Sequence, residues 1–214
     1  KGAFDSYYTI LNPQASAQTV SVTYRHENGV TYTGALSVGA TSRATFTIPT
    51  WIPDGNVGMT LTAPQGIAVE RSMYGGTGWT VGHAGVASPA AATTWRFAEG
   101  NTSVTWFDTY FAVANVSASA TTATFTFRTQ ANTTVTTTLY VPAGGRATLY
   151  ANAVAGLLSQ AFQTTVTASQ PLVVERAMYW PGTSGSSLVA GGDLSAFVPE
   201  ALPVGAAIIP GSDE

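Results

Sequence analysis

Val69-Glu70-Arg71-Ser72-Met73-Tyr74 returns as Val174-Glu175-Arg176-Ala177-Met178-Tyr179, and this recurrence decides how the chain is read. Phe4-Asp5-Ser6-Tyr7 and Phe107-Asp108-Thr109-Tyr110 repeat at nearly the same spacing. The chain therefore contains one unit of about 100 residues written twice, and such self-similarity takes precedence over any local motif. The offset grows from about 103 residues early in the unit to about 105 late, which places a small insertion in the middle loop.

Around these anchors the pattern is that of β-strands. Val20, Val22 and Tyr24 alternate with Thr19, Ser21 and Thr23, and Asn28-Gly29 then separates this run from the return strand Val30 to Val38. An Asn-Gly pair between alternating runs is a strong hairpin signal. In the second copy Phe125 and Phe127 stand where Val22 and Tyr24 stood, and Gln130-Ala131-Asn132 replaces the Asn-Gly turn. Asn152 to Gln160 reads as one helical turn or a loop. Short strands with turn signals every 8–12 residues predict an all-β chain of two tandem Ig-like antiparallel β-sandwich domains with an extended C-terminal tail. The expected divisions are a first repeat over 1–82, a linker over 83–92, a second repeat over 93–190 and an extension over 191–214.

Of the 214 residues 45% are hydrophobic, but only 9% are charged, against about 25% in an average chain. Ser and Thr make up about a quarter and favour strands and turns. With a net charge of -3 and one lysine, the chain lacks the clustered basic patch that nucleic acid requires. No cysteine is present, which removes disulfides, thiolate metal sites and a cysteine nucleophile. No apolar run approaches the ~20 residues of a membrane span. The opening Lys1-Gly2-Ala3 leads straight into a strand, as expected of a processed form or a fragment.

Thr94-Trp95-Arg96-Phe97-Ala98-Glu99-Gly100, Phe107-Asp108-Thr109-Tyr110, Val141-Pro142-Ala143-Gly144 and Val174-Glu175-Arg176-Ala177-Met178-Tyr179-Trp180-Pro181-Gly182 resemble an uncharacterised bacterial secreted tandem repeat. The resemblance covers most of residues 4–182. It implies an Ig-like fold, an extracellular or cell-surface location and a structural or adhesive setting, with no enzymatic role. The second unit carries every block, whereas the first has no Trp-x-Phe-Ala-Glu-Gly segment.

The first unit is therefore expected to lack one strand, and residues beyond Gly192 have no unit of their own to complete. Ser195 to Glu200 faintly echoes Thr94 to Glu99, and Val204, Ala206 and Ile208 alternate with Gly205, Ala207 and Ile209. An open sheet edge accepts an extended segment from another chain, and a head-to-tail contact of that kind propagates into a filament. One expectation is thus a homopolymer in which Phe197, Val198, Val204, Ala206 and Ile208 enter the first unit of a neighbour. The other is a tail that packs on its own chain or simply ends it.

Other residues have plainer readings. Arg71 and Arg176 share a face with apolar neighbours and need acceptors, and Asp5 and Asp108 are candidates. Strict alternation puts those aspartates on the opposite face, so either a bulge intervenes or another acceptor serves. These four residues are expected to be structural anchors. Trp51 and Trp180 lie in loop-like stretches and suit stacking on a polysaccharide, the alternative to a structural role. His26 and His83 stand near no nucleophile elbow, no acidic cluster has metal-ligand spacing, and neither an enzyme nor a cofactor is expected. Asn101, Asn115 and Asn132 match the N-glycosylation pattern, at a frequency close to chance in so Thr-rich a chain.

Overall fold

The computed structural model describes residues 4–75, 81–181 and 189–195. The chain is all-β, built from antiparallel sheets in a sandwich-like arrangement. In the first half the strands are β1 (Phe4–Asn12), β2 (Gln18–His26), β3 (Thr31–Val38), β4 (Ser42–Thr47), β5 (Val57–Thr62), β6 (Ala68–Gly75) and β7 (Val81–Val86). The second half has β8 (Ala92–Phe97), β9 (Asp108–Asn115), β10 (Thr121–Thr129), β11 (Thr134–Val141), β12 (Arg146–Tyr150), β13 (Phe162–Pro181) and β14 (Val189–Ser195). A 3-10 turn, Ala151–Ala153, follows β12.

Alternation in the sequence becomes alternation in burial. Val20, Val22 and Tyr24 of β2 are buried while Thr19 and Ser21 are exposed, and Ala123, Phe125 and Phe127 of β10 are buried likewise. Each half closes over its own apolar cluster. Tyr8, Ile10, Val20, Val22, Tyr24, Val38, Ile48 and Ile52 form one; Trp95, Phe97, Phe111, Phe125, Phe127, Val166 and Val174 belong to the other.

Strand order repeats between the halves. One layer runs β4-β1-β6-β7 in the first half, and β12, β9, the end of β13 and β14 in the second. The other layer is β3-β2-β5, matched by β11, β10 and the start of β13. β13 passes through both layers: Phe162 to Thr167 pairs with β10, and Leu172 to Tyr179 pairs with β9. The register breaks between Thr167 and Leu172, around Pro171, which has no N–H for a ladder.

Two expected boundaries move. Residues 83–92 are not simply a linker, because β7 pairs along β6 from Glu70↔Val86 to Gly75↔Val81. The C-terminal extension does not begin at 191, because β14 pairs along β13 from Arg176↔Ser195 to Pro181↔Val189. In both cases the preceding strand provides a hydrogen-bonding edge, which orders a Gly-rich segment of low intrinsic β-propensity. Phe197, Val198, Val204, Ala206 and Ile208 lie outside the described residues.

Candidate strand-acceptor edge and the contact between the halves

The halves differ in one strand. β8 lies along β13, with Val166 opposite Trp95 on one side and Phe125 on the other. β5 pairs with β2 alone, and its other edge carries no strand among the described residues.

β8 explains its motif residue by residue. Trp95 is 1% exposed, and its Nε1 donates to the Leu172 carbonyl at 2.8 Å. Phe97 meets Phe111 edge-on at 5.4 Å. The Glu99 carbonyl accepts from Arg176 Nη1, with the Glu99 carboxylate 4.0 Å away. Gly100 presses on the Phe162 ring so closely that no Cβ fits.

Without such a strand, the first half is less closed. Thr164, Val166, Val174 and Met178 are buried, whereas the equivalent Met59, Leu61, Val69 and Met73 are only half-buried. What remains is a sheet edge with apolar side chains beside it, the combination that accepts an added strand.

Part of that open side is covered by the second half. Arg71 Nη2 donates to Glu175 Oε2 at 3.1 Å, joining the two copies of the Val-Glu-Arg motif. Tyr179 lies against Phe4 with ring centroids 5.9 Å apart, and its hydroxyl is 3.1 Å from His83 Nε2. At one end of β5, Gly58 faces Arg146; a Cβ there would be 3.8 Å from Arg146 Cδ. Burial in this contact pushes the Tyr179 phenol up, partly countered by Arg71, and pushes the Arg146 guanidinium down, countered by Glu27 and Glu175.

The arginines thus find acceptors other than the aspartates. Arg176 takes Glu99 and Arg71 takes Glu175, whereas Asp108 accepts from the Tyr150 hydroxyl. Asp5 is exposed on the opposite face, across from Tyr74 in the ladder. Strict alternation holds through both strands, so no bulge brings the aspartates inward.

Trp51 is 57% exposed and stands edge-on to Tyr24 and Tyr32 at 6.3 and 5.8 Å. Trp180 is less open and packs edge-on to Phe107. His26 Nδ1 accepts from the Asn28 N–H and its Nε2 faces the Asp54 carbonyl, so this ring fastens a loop. Among the described residues no group of three His, Asp or Glu side chains is placed to hold a metal ion, and no helix is long and apolar enough to cross a membrane.

Of the glycosylation matches, Asn132 is exposed in a turn and Asn101 is half-buried, its Oδ1 accepting from the Ser103 N–H. Asn115 is a correction. It is fully buried, and its Nδ2 donates to the carbonyls of Ser119, Val141 and Pro142, so the folded chain does not present it to a glycan. Asn12 does the same with Ser16, Val38 and Gly39. The sequence marks Asn12 only as the end of a strand; recurrence at the 103-residue offset is the signal that reveals a shared anchor.

No protein-family model matches this chain, and no curated protein matches it. Among solved structures, the crystal structure of Thermotoga maritima 1070 is similar over 50% of this chain and 91% of that chain, with 12% identity and a TM-score of 0.43. A likeness this distant carries no argument about function.

Proposed function

We propose that the chain is a structural subunit of an extracellular filament, stalk or surface layer, made of two Ig-like domains and polymerising head-to-tail. Residues 196–214 of one copy enter the open edge of β5 in the next. The observation that carries this reading is the contrast between β5 and β13. The same strand position is covered by β8 in the second half and uncovered among the described residues of the first. β8 is itself delivered from the chain leaving the first half, through residues 87–91. A segment leaving β14 stands in the same relation to the next copy, and residues 196–214 are longer than the six-residue β8. The partner is then another copy of the chain, and the chemistry is main-chain pairing with small apolar side chains set into the groove.

The purified 214-residue chain is expected to form filaments visible by electron microscopy, and chain ending at Ser195 is expected to remain dispersed. Filaments unchanged by that truncation would refute the reading. Exposed Trp51, set beside Tyr32, favours a second reading as a carbohydrate-binding or adhesion module. Retention on polysaccharide that is lost in Trp51→Ala, without filaments, would select it.

A further inference from the structure

The second half covers the first at the place where a completing strand would end. In the second half, β8 pairs with β13 from Thr94↔Thr167 to Phe97↔Thr164. The chain then runs on beside the start of β13, where the Gly100 carbonyl accepts from the Phe162 N–H at 2.9 Å and Asn101 bridges to Ala161. Val22 faces Leu61 as Phe125 faces Val166, so Met59 to Thr62 of β5 matches the run that β8 pairs with, and Val57-Gly58 matches Phe162-Gln163. Along Met59 to Thr62 the outer edge carries no strand among the described residues. Gly58 is different, because it meets the outer face of the layer formed by β12, β9 and the end of β13. A Cβ on Gly58 would lie 3.8 Å from Arg146 Cδ and 4.0 Å from Ala114 Cβ. The edge is thus open along most of its length and shut at one end.

A matching exchange occurs beneath the edge. Arg176 donates from Nη1 to the Glu99 carbonyl, supplied by the segment that follows β8. Arg71, its equivalent, donates from Nη2 to Glu175 Oε2 at 3.1 Å, supplied by the outer face of the second half. The neighbouring floor differs accordingly. Phe111, opposite Arg176 in the ladder, meets Phe97 of β8 edge-on, whereas Tyr8, opposite Arg71, brings a phenol to the equivalent place. Tyr8 is buried. Burial pushes its phenol up, Arg71 opposes that rise and Glu175 adds to it, so the hydroxyl lies within the field of the ion pair. An aromatic side chain on a completing strand suits Phe111; a carboxylate suits Arg71 beside Tyr8.

We infer that the second half is a gate on the acceptor edge of its own chain. Ala114, Arg146 and Glu175 hold the end of the slot at Gly58 and Arg71, and the halves part there when a donated segment takes the full course of β8 and the residues after it. This inference rests on the head-to-tail reading proposed above and adds a step to it. An incoming segment first pairs with the open run Met59 to Thr62. Extension past Gly58 then displaces Ala114 and Arg146, and a main-chain carbonyl of the segment replaces Glu175 on Arg71, as the Glu99 carbonyl serves Arg176. The gate is weak enough to open, since the Arg71–Glu175 pair is partly exposed and such pairs contribute little. Closure lowers the population able to accept a full strand, and so weakens uptake without abolishing it.

The test locks the gate. The chain has no cysteine, and the 4.0 Å between Ala114 Cβ and a Cβ built on Gly58 suits a disulfide. The 214-residue chain carrying Gly58→Cys and Ala114→Cys is oxidised, and mass spectrometry confirms the link. Oxidised protein is expected to need a concentration about tenfold higher for sedimentable assembly, because the gated state is then the only one available. The same protein reduced should assemble, and melt, like the unmodified chain. Glu175→Gln keeps the size of the side chain and removes its charge, and should lower the required concentration about threefold. Equal assembly by oxidised and reduced protein, or poorer assembly by Glu175→Gln, would overturn the gate and leave strand donation standing. A disulfide that does not form would overturn it too, since the halves would then not meet at Gly58. If the unmodified chain does not assemble at all, the filament reading fails and this inference fails with it.

Discussion

Arg71 and Arg176 occupy the same place in the same motif on equivalent strands, yet they live in different surroundings. Arg176 has a side chain 4% exposed and donates to a main-chain carbonyl; Arg71 has one 22% exposed and meets a carboxylate from the other half. Nothing in the motif accounts for the difference. It comes from β8, which seals the edge above Arg176 and has no counterpart above Arg71 among the described residues. The second half is closed by β8, the strand that follows β7 in the chain, and the described residues of the first half hold no strand in the equivalent position.

The largest effect should come from removing that seal. Trp95→Ala deletes a fully buried indole and its hydrogen bond, and such truncations cost about 3–5 kcal/mol. If the halves unfold separately, as two domains would, calorimetry should show one transition falling and the other holding. Leu61→Ala, at the place equivalent to Val166, should cost well under the ~2–5 kcal/mol of a buried leucine, because Leu61 is half-buried. A full-sized loss at Leu61 would break the comparison, since it would mean that the β5 edge is closed in solution.

A smaller difference separates the two arginines. Arg176→Leu removes a buried, charge-assisted bond to Glu99 and should cost about 1.5–3 kcal/mol. Arg71→Leu breaks a partly exposed pair, for which ~0.5–1 kcal/mol is the appropriate scale, and salt should shrink it further. Denaturant titration of both variants at low and high salt measures the gap. Equal losses would mean that β8 does not distinguish the sites.

Much of this fold was legible because its signals are local. The alternation of β2 and β10 and the Asn28-Gly29 turn each lie within a few residues, and the period then transferred the reading from one half to the other. β7 and β14 were not legible. Gly82, Gly85, Gly191 and Gly192 give no strand signal, and the edges that order these segments belong to β6 and β13. The acceptors of the arginines were hidden for a similar reason. Glu99 is 77 residues from Arg176 and Glu175 is 104 from Arg71, and alternation can reject Asp5 and Asp108 without naming their replacements. The contact between the halves was the least visible. Glu70 and Glu175 are the same letter in the same motif, and only the three-dimensional arrangement makes one a partner and leaves the other exposed.

The smallest predicted effect lies where the halves diverge on that outer face. Thr47 pairs with Tyr7 where Tyr150 pairs with Tyr110, so the second half has a phenol at this register position where the first half has a threonine. The Tyr150 hydroxyl donates to Asp108 Oδ1, and this bond to the neutral form, aided by some burial and by the nearby carboxylate charge, pushes the phenol up to about 12. A pKa raised by folding fixes the direction of the pH effect. The contribution is fully present below the ordinary tyrosine value of about 10, and it fades as the unfolded chain ionises above that value and the folded chain follows near 12. Phenolate absorbance, taken as the difference between the chain and its Tyr150→Phe variant, isolates this one group. Asp108→Ala should bring the Tyr150 titration back toward 10 because it removes both the acceptor and the charge. A Tyr150 curve that stays near 12 in Asp108→Ala would show that burial alone holds the proton, and the divergence at Thr47 would then concern packing on this face rather than its electrostatics.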